Sequence, residues 1–254
     1  MRTLGIIPAR YGSTRLPGKA LIKVQGKTII ERVYDQVHKS QRLTEIIVAT
    51  DDVRIYNHVR KFGGHAVITR IDHLSGTTRC AEISENMSGF DIVVNIQGDE
   101  PLINPAQIDQ LCDFIASEPS VGIGTLVHKI EHHEELTNPA VAKVVMGQQG
   151  RVLYFSRSPV PFIRDVPVEQ WLQHGTFYRH VGMYAYRRDV LRRLGNLPQS
   201  ELEKAEKLEQ LNWLYHGYQV YAMETEYESL GIDTPEDLAA LERMLESNIR
   251  ETQS

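Results

Sequence analysis

Three cations lie within ten residues near the amino terminus, directly after a short apolar run. Open α/β sheets bind ligands at the carboxyl ends of their strands, so this position suits a binding loop. Backbone N–H groups of a glycine-containing loop approach a phosphate chain closely, while guanidinium and ammonium groups neutralise its charge. The segment therefore predicts a triphosphate site. Its residues are Arg10, Gly12, Ser13, Arg15, Gly18 and Lys19.

The spacing excludes two common nucleotide motifs. A Walker A loop needs glycine, four residues, and then Gly-Lys-Ser/Thr. Counting from Gly18 and Lys19 puts Ser13 at the first glycine position and Ala20 at the hydroxyl position. The G-x-G-x-x-G fingerprint of dinucleotide-binding proteins is also absent after the first apolar run, which disfavours a nicotinamide enzyme. A solvated basic loop is the remaining alternative, and three cations beside two glycines at a strand end favour the phosphate site.

Two aspartates are candidate ligands for Mg²⁺. Asp99 follows the apolar run 92–96, with Gly98 leaving room beside it, and Asp233 ends a later apolar run. Mg²⁺ takes one or two protein carboxylates, and phosphate oxygens and water complete its coordination. A turn residue is the weaker alternative for Asp99. For Asp233, a helix cap before Pro235 is an equal alternative.

Apolar runs of strand length alternate with segments of helical period, which predicts β-α-β units and an α/β fold with a mainly parallel, Rossmann-like sheet. The expected strands are 4–9, 45–50, 65–69 and 92–96, and the crossover helices are 28–38, 52–62, 77–87 and 105–115. Two β-rich runs around a Gln-Gln-Gly turn predict an antiparallel hairpin over 140–156. Later expected elements are a strand at 179–186, a helix at 202–216, a strand at 218–223 and a helix after Pro235.

Composition limits the class of protein. The 254 residues contain 28 Lys and Arg and 33 Asp and Glu, so the net charge is −5, and 41% of the residues are hydrophobic. A core is therefore expected, and an acidic chain has no broad basic field for nucleic acid. Two cysteines, Cys80 and Cys112, form no zinc or disulfide pattern. The first apolar run is too short for a leader or membrane span, so we expect a cytoplasmic protein without membrane insertion.

Eight sequence blocks resemble, in order and spacing, the family of cytidylyltransferases that activate 3-deoxy-ulosonic acids. The resemblance covers essentially the whole chain. The blocks are IIPARYGSTRLPGKAL at 6–21, ATDD at 49–52, HLSGTTR at 73–79, NIQGDEP at 95–101, YFSRSPVP at 154–161, RHVGMYAY at 179–186, KLEQL at 207–211 and GIDTPEDL at 231–238.

The resemblance implies transfer of CMP from CTP to an acidic sugar, with Mg²⁺ on Asp99 and Asp233, for lipopolysaccharide biosynthesis. Catalysis would rest on Arg10, Arg15, Lys19 and Asp99. The implied nucleotide-binding residues are Arg10, Gly12, Ser13, Arg15, Lys19, Ser75, Gly76, Thr77, Arg79, Gln97 and Asp99. The implied sugar-binding residues are Gln97, Arg157, Arg164, His180, Tyr184, Glu209 and Gln210.

The same resemblance implies one nucleotidyltransferase domain over 1–254, with a core at 1–127 and 179–250. An antiparallel ribbon inserted at about 128–178 would be the contact of a homodimer. Thr78 stands where related sequences carry an acid, and Ala20 and Thr28 stand where they commonly carry proline.

Several alternatives remain open from the sequence. Ser75 or Thr77 alone fits a helix cap, and His180 alone fits a core histidine. A solvated surface helix is expected around His128, His132 and His133, rather than a metal site. The acceptor could also be an amino-substituted octulosonate or an acylneuraminate. A non-catalytic nucleotide-binding module is the alternative from another functional class.

Overall fold

A computed structural model describes residues 1–12, 16–228 and 230–253 of the chain, with the side chains of 248–253 excepted. Nine of its strands form one sheet, and a separate two-stranded ribbon pairs β2 with β3. The strands are β1 Thr3–Ala9, β2 Lys23–Val24, β3 Lys27–Thr28, β4 Glu45–Thr50, β5 Ala66–Ile68, β6 Ile92–Asn95, β7 Ile123–Lys129, β8 Lys143–Met146, β9 Val152–Ser156, β10 Tyr178–Arg187 and β11 Tyr221–Glu224.

Helices cover the sheet and connect its strands. None of the helices in the described part of the chain combines the length and apolar composition that a bilayer span needs. The helices are α1 Ile29–Val37, α2 Val53–Lys61, α3 Gly76–Asn86, α4 Pro105–Ser117, α5 His133–Thr137, α6 Trp171–His174, α7 Arg188–Leu194, α8 Glu201–Glu206, α9 Gln210–Tyr215 and α10 Pro235–Gln253.

The first half of the chain builds the parallel part of the sheet. Strands β6, β1, β4 and β5 lie side by side in that order, and each neighbouring pair is parallel. Most apolar residues of β1, β4 and β6 are buried on both faces because helices pack on each side of the sheet, whereas Ile68 of the edge strand β5 is 50% exposed. The predicted parallel core is confirmed here, and the predicted strand and helix ends fall within two residues of the observed ones.

The second half adds antiparallel strands to the same sheet. Strand β10 lies between β6 and β7 and is antiparallel to both. The sequence placed residues 179–186 in the parallel core, so that orientation was wrong. The hairpin of β8 and β9 is confirmed, and it continues the main sheet because β8 pairs with the start of β10.

Some elements differ from the sequence predictions. Strand β7 was not predicted, because glycine, threonine and histidine interrupt its apolar run. The single helix expected at 202–216 is two helices, since Lys207 adopts a left-handed backbone with φ 52° between them. The predicted strand at 218–223 begins only at Tyr221. The helix expected around three histidines is only partly formed: His133 begins the short helix α5, whereas His128 lies in β7.

Gly98 permits a close approach between the segment that follows β6 and the end of β1. A Cβ atom at this position would lie 2.6 Å from the backbone oxygen of Pro8. Because that oxygen belongs to the backbone of a buried strand, it cannot move aside as the end of a flexible side chain would. The glycine therefore keeps the carboxyl ends of two neighbouring strands close together.

We expect Gly98→Ala to destabilise the fold by roughly 1–3 kcal/mol, the usual cost of forcing an extra methyl group into packed structure. Gly231→Ala is the matched control, because a Cβ atom there meets nothing within 4 Å. Its effect should stay within about 0.5 kcal/mol. Urea unfolding of both variants measures the difference, and equal free energies of unfolding would contradict the proposed role of Gly98.

Candidate active site

A cleft of about 460 Å³ lies at the carboxyl ends of β1 and β6. Open α/β sheets bind ligands at this edge. The start of α3, the middle of β10 and the segments around 209 and 233 complete its walls. The lining residues are Pro8, Ala9, Arg10, Lys19, Ala20, His73, Leu74, Ser75, Gly76, Arg79, Asn95, Gln97, Gly98, Asp99, Tyr184, Glu209 and Asp233.

Lys19 joins the two predicted metal ligands at one end of the cleft. Its Nζ atom lies 2.6 Å from Oδ2 of Asp99 and 3.0 Å from Oδ1 of Asp233. Gly18, with φ 69°, turns the chain into the 3₁₀ turn that carries Lys19. The backbone N–H of Ile232 donates to the backbone oxygen of Asp99 over 2.9 Å. This bond fixes the Asp233 segment beside the end of β6.

The capping alternative for Asp233 is not what the structure shows. Thr234 accepts a hydrogen bond from the backbone N–H of Asp237, and the Asp237 carboxylate accepts from the N–H groups of Asp233 and Thr234. This reciprocal arrangement caps α10 with Thr234 and Asp237. The Asp233 carboxylate is therefore available to face Lys19.

The two carboxylates fit a magnesium site that a nucleotide completes. Oxygens of Asp99 and Asp233 both lie within 3.0 Å of one cationic nitrogen, so they converge on a single point. Oxygen donors are the ligands that Mg²⁺ prefers, and phosphate oxygens and water can supply the others. Among the described residues, no cluster of three or more His, Cys, Asp or Glu side chains forms a metal site, so a complete protein cage is absent there.

Glu209 lies at another wall of the cleft, held by the start of α3. Ser75 Oγ donates to its Oε1 over 2.5 Å, and Thr77 Oγ1 donates to its Oε2 over 2.9 Å. Burial raises the pKa of Glu209 to about 7, although both hydroxyl hydrogen bonds act to lower it. Ser75 also caps α3 by accepting from the backbone N–H of Thr78. The hydroxyl therefore both caps the helix and orients Glu209.

Tyr184 brings an aromatic wall to the cleft from β10. Its ring lies 4.9 Å from that of Trp213 and 5.0 Å from that of His180, measured between centroids. Thr125 Oγ1 donates its hydrogen to the backbone oxygen of Met183. Because that hydrogen is used, the same hydroxyl oxygen accepts from Nε2–H of His180 over 2.9 Å. Burial lowers the pKa of His180 to about 3, which keeps the imidazole neutral. His180 therefore supports Tyr184 from outside the cleft lining.

Gln97 and Arg79 line the cleft with side chains that already bind protein atoms. Gln97 Nε2 donates to the oxygen of Gly182 over 2.6 Å, at the point where the register of β10 is irregular. The Arg79 guanidinium is buried between Asp51, at 3.1 Å, and the hydroxyl of Thr69. Arg79 therefore ties the ATDD block to the wall of the cleft.

The structure brings ten of the predicted site residues to the cleft lining. They are Arg10, Lys19, Ser75, Gly76, Arg79, Gln97, Asp99, Tyr184, Glu209 and Asp233. Ser13 and Arg15 lie outside the described residues.

Six other predicted residues do not line the cleft, and Arg157 is one of them. Gly12 is exposed, and Thr77 is buried beneath Glu209. His180 lies behind Tyr184, as described above. Arg164 is 89% exposed and pairs with Asp165, and Gln210 is buried at the start of α9.

Arg157 is likewise absent from the cleft. Its guanidinium donates to the backbone oxygens of Glu206, at 2.6 Å, and Pro139, at 2.8 Å. These bonds fasten the end of β9 to the break between α8 and α9. Neither predicted sugar-binding arginine lines the cleft: the Arg157 guanidinium is bound by backbone carbonyls, and Arg164 lies on an exposed loop.

Sequence reasoning missed two polar residues of the lining, His73 and Asn95. His73 bonds to Glu82, and its side chain is 3% exposed. Asn95 is the last residue of β6 and is 3% exposed. Both lie in blocks that the sequence analysis singled out, at 73–79 and 95–101. A polar residue at the end of an otherwise apolar buried strand was the signal that could have found Asn95.

Comparison with known proteins gives one consistent result. A family model described as Cytidylyltransferase matches residues 4–224. The 3-deoxy-manno-octulosonate cytidylyltransferase of Cytophaga hutchinsonii is 48% identical, and the alignment covers 92% of this chain and 94% of that protein. The corresponding protein of Solibacter usitatus is 46% identical, with 98% of this chain and 96% of that protein covered.

Solved structures agree with these relatives. CMP:2-keto-3-deoxy-manno-octonic acid synthetase complexed with CTP superimposes with a TM-score of 0.91 at 39% identity, covering 98% of this chain and 100% of that chain. A cytidylyltransferase from Leptospira borgpetersenii shares the fold with a TM-score of 0.62 at 18% identity, covering 95% of this chain and 85% of that chain.

The raised pKa of Glu209 predicts a pH dependence of stability. The unfolded chain releases this proton near pH 4.5 and the folded chain near pH 7, so the folded state binds the proton more tightly. Stability contributed by the protonated carboxyl is therefore lost as the pH rises from 4.5 to 7. Relative to Glu209→Gln, the wild type should lose roughly 3 kcal/mol between pH 4.5 and 8. The free energies of unfolding of both proteins are measured in urea across this pH range. If they change in parallel, the raised pKa of Glu209 is refuted.

Proposed function

The chain belongs to the cytidylyltransferase family, and on that premise we propose that it transfers the CMP group of CTP to the anomeric hydroxyl of 3-deoxy-manno-octulosonate. The products are the CMP-sugar and pyrophosphate, and the reaction serves lipopolysaccharide biosynthesis. Relatives that are 46–48% identical over nearly the whole chain carry the name of this activity. The similar structure at a TM-score of 0.91 holds CTP.

The observation that carries the proposal is the meeting of Lys19, Asp99 and Asp233 at one end of the cleft. An ammonium group with two carboxylate oxygens within 3.0 Å of its nitrogen suits a magnesium-bound triphosphate. Arg10 adds a second cation at the end of β1. Lys19 and Arg10 are therefore proposed to hold the triphosphate and to stabilise the negative charge that develops on the leaving pyrophosphate.

The reaction needs no covalent intermediate with the protein. The anomeric oxygen attacks the α-phosphorus of CTP in line, and the bond from that phosphorus to the oxygen bridging to the β-phosphate breaks. Pyrophosphate leaves with the electron pair of that bond, and the proton of the anomeric hydroxyl passes to solvent. Catalysis of such a transfer rests on positioning and on charge stabilisation.

Asp99 and Asp233 are proposed to hold Mg²⁺. When bound, the ion would neutralise phosphate charge and so reduce the repulsion between CTP and the anionic sugar. Lys19 would then serve as a further cation for the phosphates, because its ammonium group already lies beside both carboxylates.

The far wall of the cleft is proposed to bind the acceptor sugar. Tyr184, Gln97 and Glu209 supply hydroxyl, amide and carboxyl groups there. A site whose polar groups are buried discriminates strongly, because a ligand that lacks a partner group leaves them unpaired. We propose that Gly76 and Ser75 position the nucleotide at the start of α3, between this wall and the triphosphate.

The decisive experiment is an assay of pyrophosphate release. The purified protein is incubated with Mg²⁺, with CTP, ATP, GTP or UTP, and with one of three acids: 3-deoxy-manno-octulosonate, its 8-amino analogue or an acylneuraminate. Release with CTP and the first acid is expected. Release with a different acid would reassign the acceptor, and nucleotide binding without release would favour the non-catalytic module.

We further propose that the enzyme is a cytoplasmic homodimer whose subunits meet through the segment at about 128–178. Phe162 and Leu153 in this segment are 75% and 55% exposed, and Phe162 packs edge-on against Trp171. Large exposed apolar side chains of this kind mark interaction surfaces when they cluster. Sedimentation velocity should report a dimer, and Phe162→Asp should weaken it, whereas a monomeric wild type would rule the interface out.

The metal proposal predicts a specific effect of Asp233→Asn. Loss of one carboxylate should raise the Mg²⁺ concentration needed for half-maximal turnover by about 10-fold or more, since each ligand oxygen contributes directly to metal affinity. Asp165→Asn, whose carboxylate is 85% exposed on a surface loop, is the matched control. Unchanged Mg²⁺ dependence in Asp233→Asn, measured by titration at saturating CTP, would remove Asp233 from the metal site.

A further inference from the structure

Two buried oxygen atoms in the cleft wall have no hydrogen-bond partner among the described residues. They are Oδ1 of Asn95 and the hydroxyl oxygen of Tyr184. The two residues are 3% and 6% exposed, and both line the cleft. An unpaired buried polar group costs about 1–3 kcal/mol, so folded proteins rarely keep one without a use. Two such atoms in one wall point to a ligand.

Asn95 and Tyr184 are direct neighbours across the sheet. They face each other in the antiparallel register of β6 and β10, so their side chains project to the same face. The Tyr184 ring is fixed between His180 and Trp213. A Cβ atom at Gly76 would lie 3.2 Å from Nδ2 of Asn95, so the carboxamide packs closely on the start of α3. Both groups are therefore held in place before any ligand binds.

The chemistry of these atoms selects the kind of ligand. Oδ1 of Asn95 only accepts hydrogen bonds, whereas the Tyr184 hydroxyl can donate or accept. Glu209, on the same side of the cleft, is a further acceptor when ionised. A triphosphate offers acceptors alone and cannot satisfy Oδ1 of Asn95. A polyhydroxylated acid presents hydroxyl groups that both donate and accept, so one molecule can satisfy all three groups.

We propose that Oδ1 of Asn95 accepts a hydrogen bond from a hydroxyl group of the acceptor sugar, beside Tyr184, and thereby helps to select that sugar. The inference rests on the proposed function and adds a specificity residue to it. Asn95 is the last residue of β6, four residues before Asp99, so the end of this strand would position both a sugar-binding residue and a metal ligand. A donor on the cytosine ring is the competing partner, and kinetics with each substrate separates the two.

The test uses Asn95→Leu, which keeps the approximate volume and removes both polar atoms. The KM for the sugar should rise at least 10-fold, while the KM for CTP stays within twofold. Because Oδ1 is unpaired in the free protein, the variant should melt no lower than the wild type. A residue with a purely structural role would give the opposite pattern, a lower melting temperature with an unchanged KM.

Ser84→Ala is the matched control. Ser84 is 1% exposed in α3, its Oγ also lacks a partner among the described residues, and it lies outside the cleft lining. It should leave both KM values unchanged. A raised KM for CTP in Asn95→Leu, an unchanged KM for the sugar, or a clear loss of thermal stability would each overturn the proposal. Absence of pyrophosphate release by the wild type would instead refute the proposed function.

Discussion

Lys19 is 80 residues from Asp99 and 214 residues from Asp233 along the chain, yet its ammonium group lies within hydrogen-bond distance of both carboxylates. Three segments must be fixed for that contact: the turn after β1, the end of β6, and the chain before α10. The parallel pairing of β1 with β6 brings the first two together, and the bond from Ile232 to Asp99 adds the third. Two carboxylates this close would repel each other without a cation between them. This cluster of charges therefore depends on the architecture of the sheet, and the cation between the two carboxylates allows them to lie close together.

The antiparallel strand β10 gives the cleft its second wall. Residues 184–187 pair with β6, and the preceding residues extend beyond the carboxyl end of β6, where they pair with β7 and β8. A parallel strand would have ended at this edge and offered only a loop. Because β10 runs the other way, ordered backbone continues past the edge and carries Tyr184 to the floor of the cleft. The parallel strands thus present charged side chains to the cleft, and β10 presents a rigid polar surface.

Local patterns predicted the elements of the first half because each signal acts over a few residues. Asn104 and Thr28 cap the helices that follow them, as their side-chain types indicate. The cluster of Lys19 with two aspartates was also visible, since all three follow apolar runs. The contacts of Arg157 and Arg164 were not visible in the sequence, because the partners of a long side chain can come from backbone that is distant along the chain. The break at Lys207 was missed for a related reason: leucines at near-helical spacing continue across it, while packing on either side forces a left-handed residue.

Three polar groups of the cleft are buried at a cost in free energy of folding. Glu209 holds a proton up to about pH 7 because burial disfavours its charge, and Asn95 and Tyr184 each bury an oxygen without a partner among the described residues. Elsewhere, some buried groups are paired, such as Arg79 with Asp51 and the Lys143 ammonium with two backbone oxygens, whereas Ser84 Oγ and Gln107 Oε1 lack a partner among the described residues. Asn95 and Tyr184 differ from these two residues because both line the cleft. A ligand whose hydroxyl groups complete their hydrogen bonds on binding would make free energy withheld from folding available for recognition.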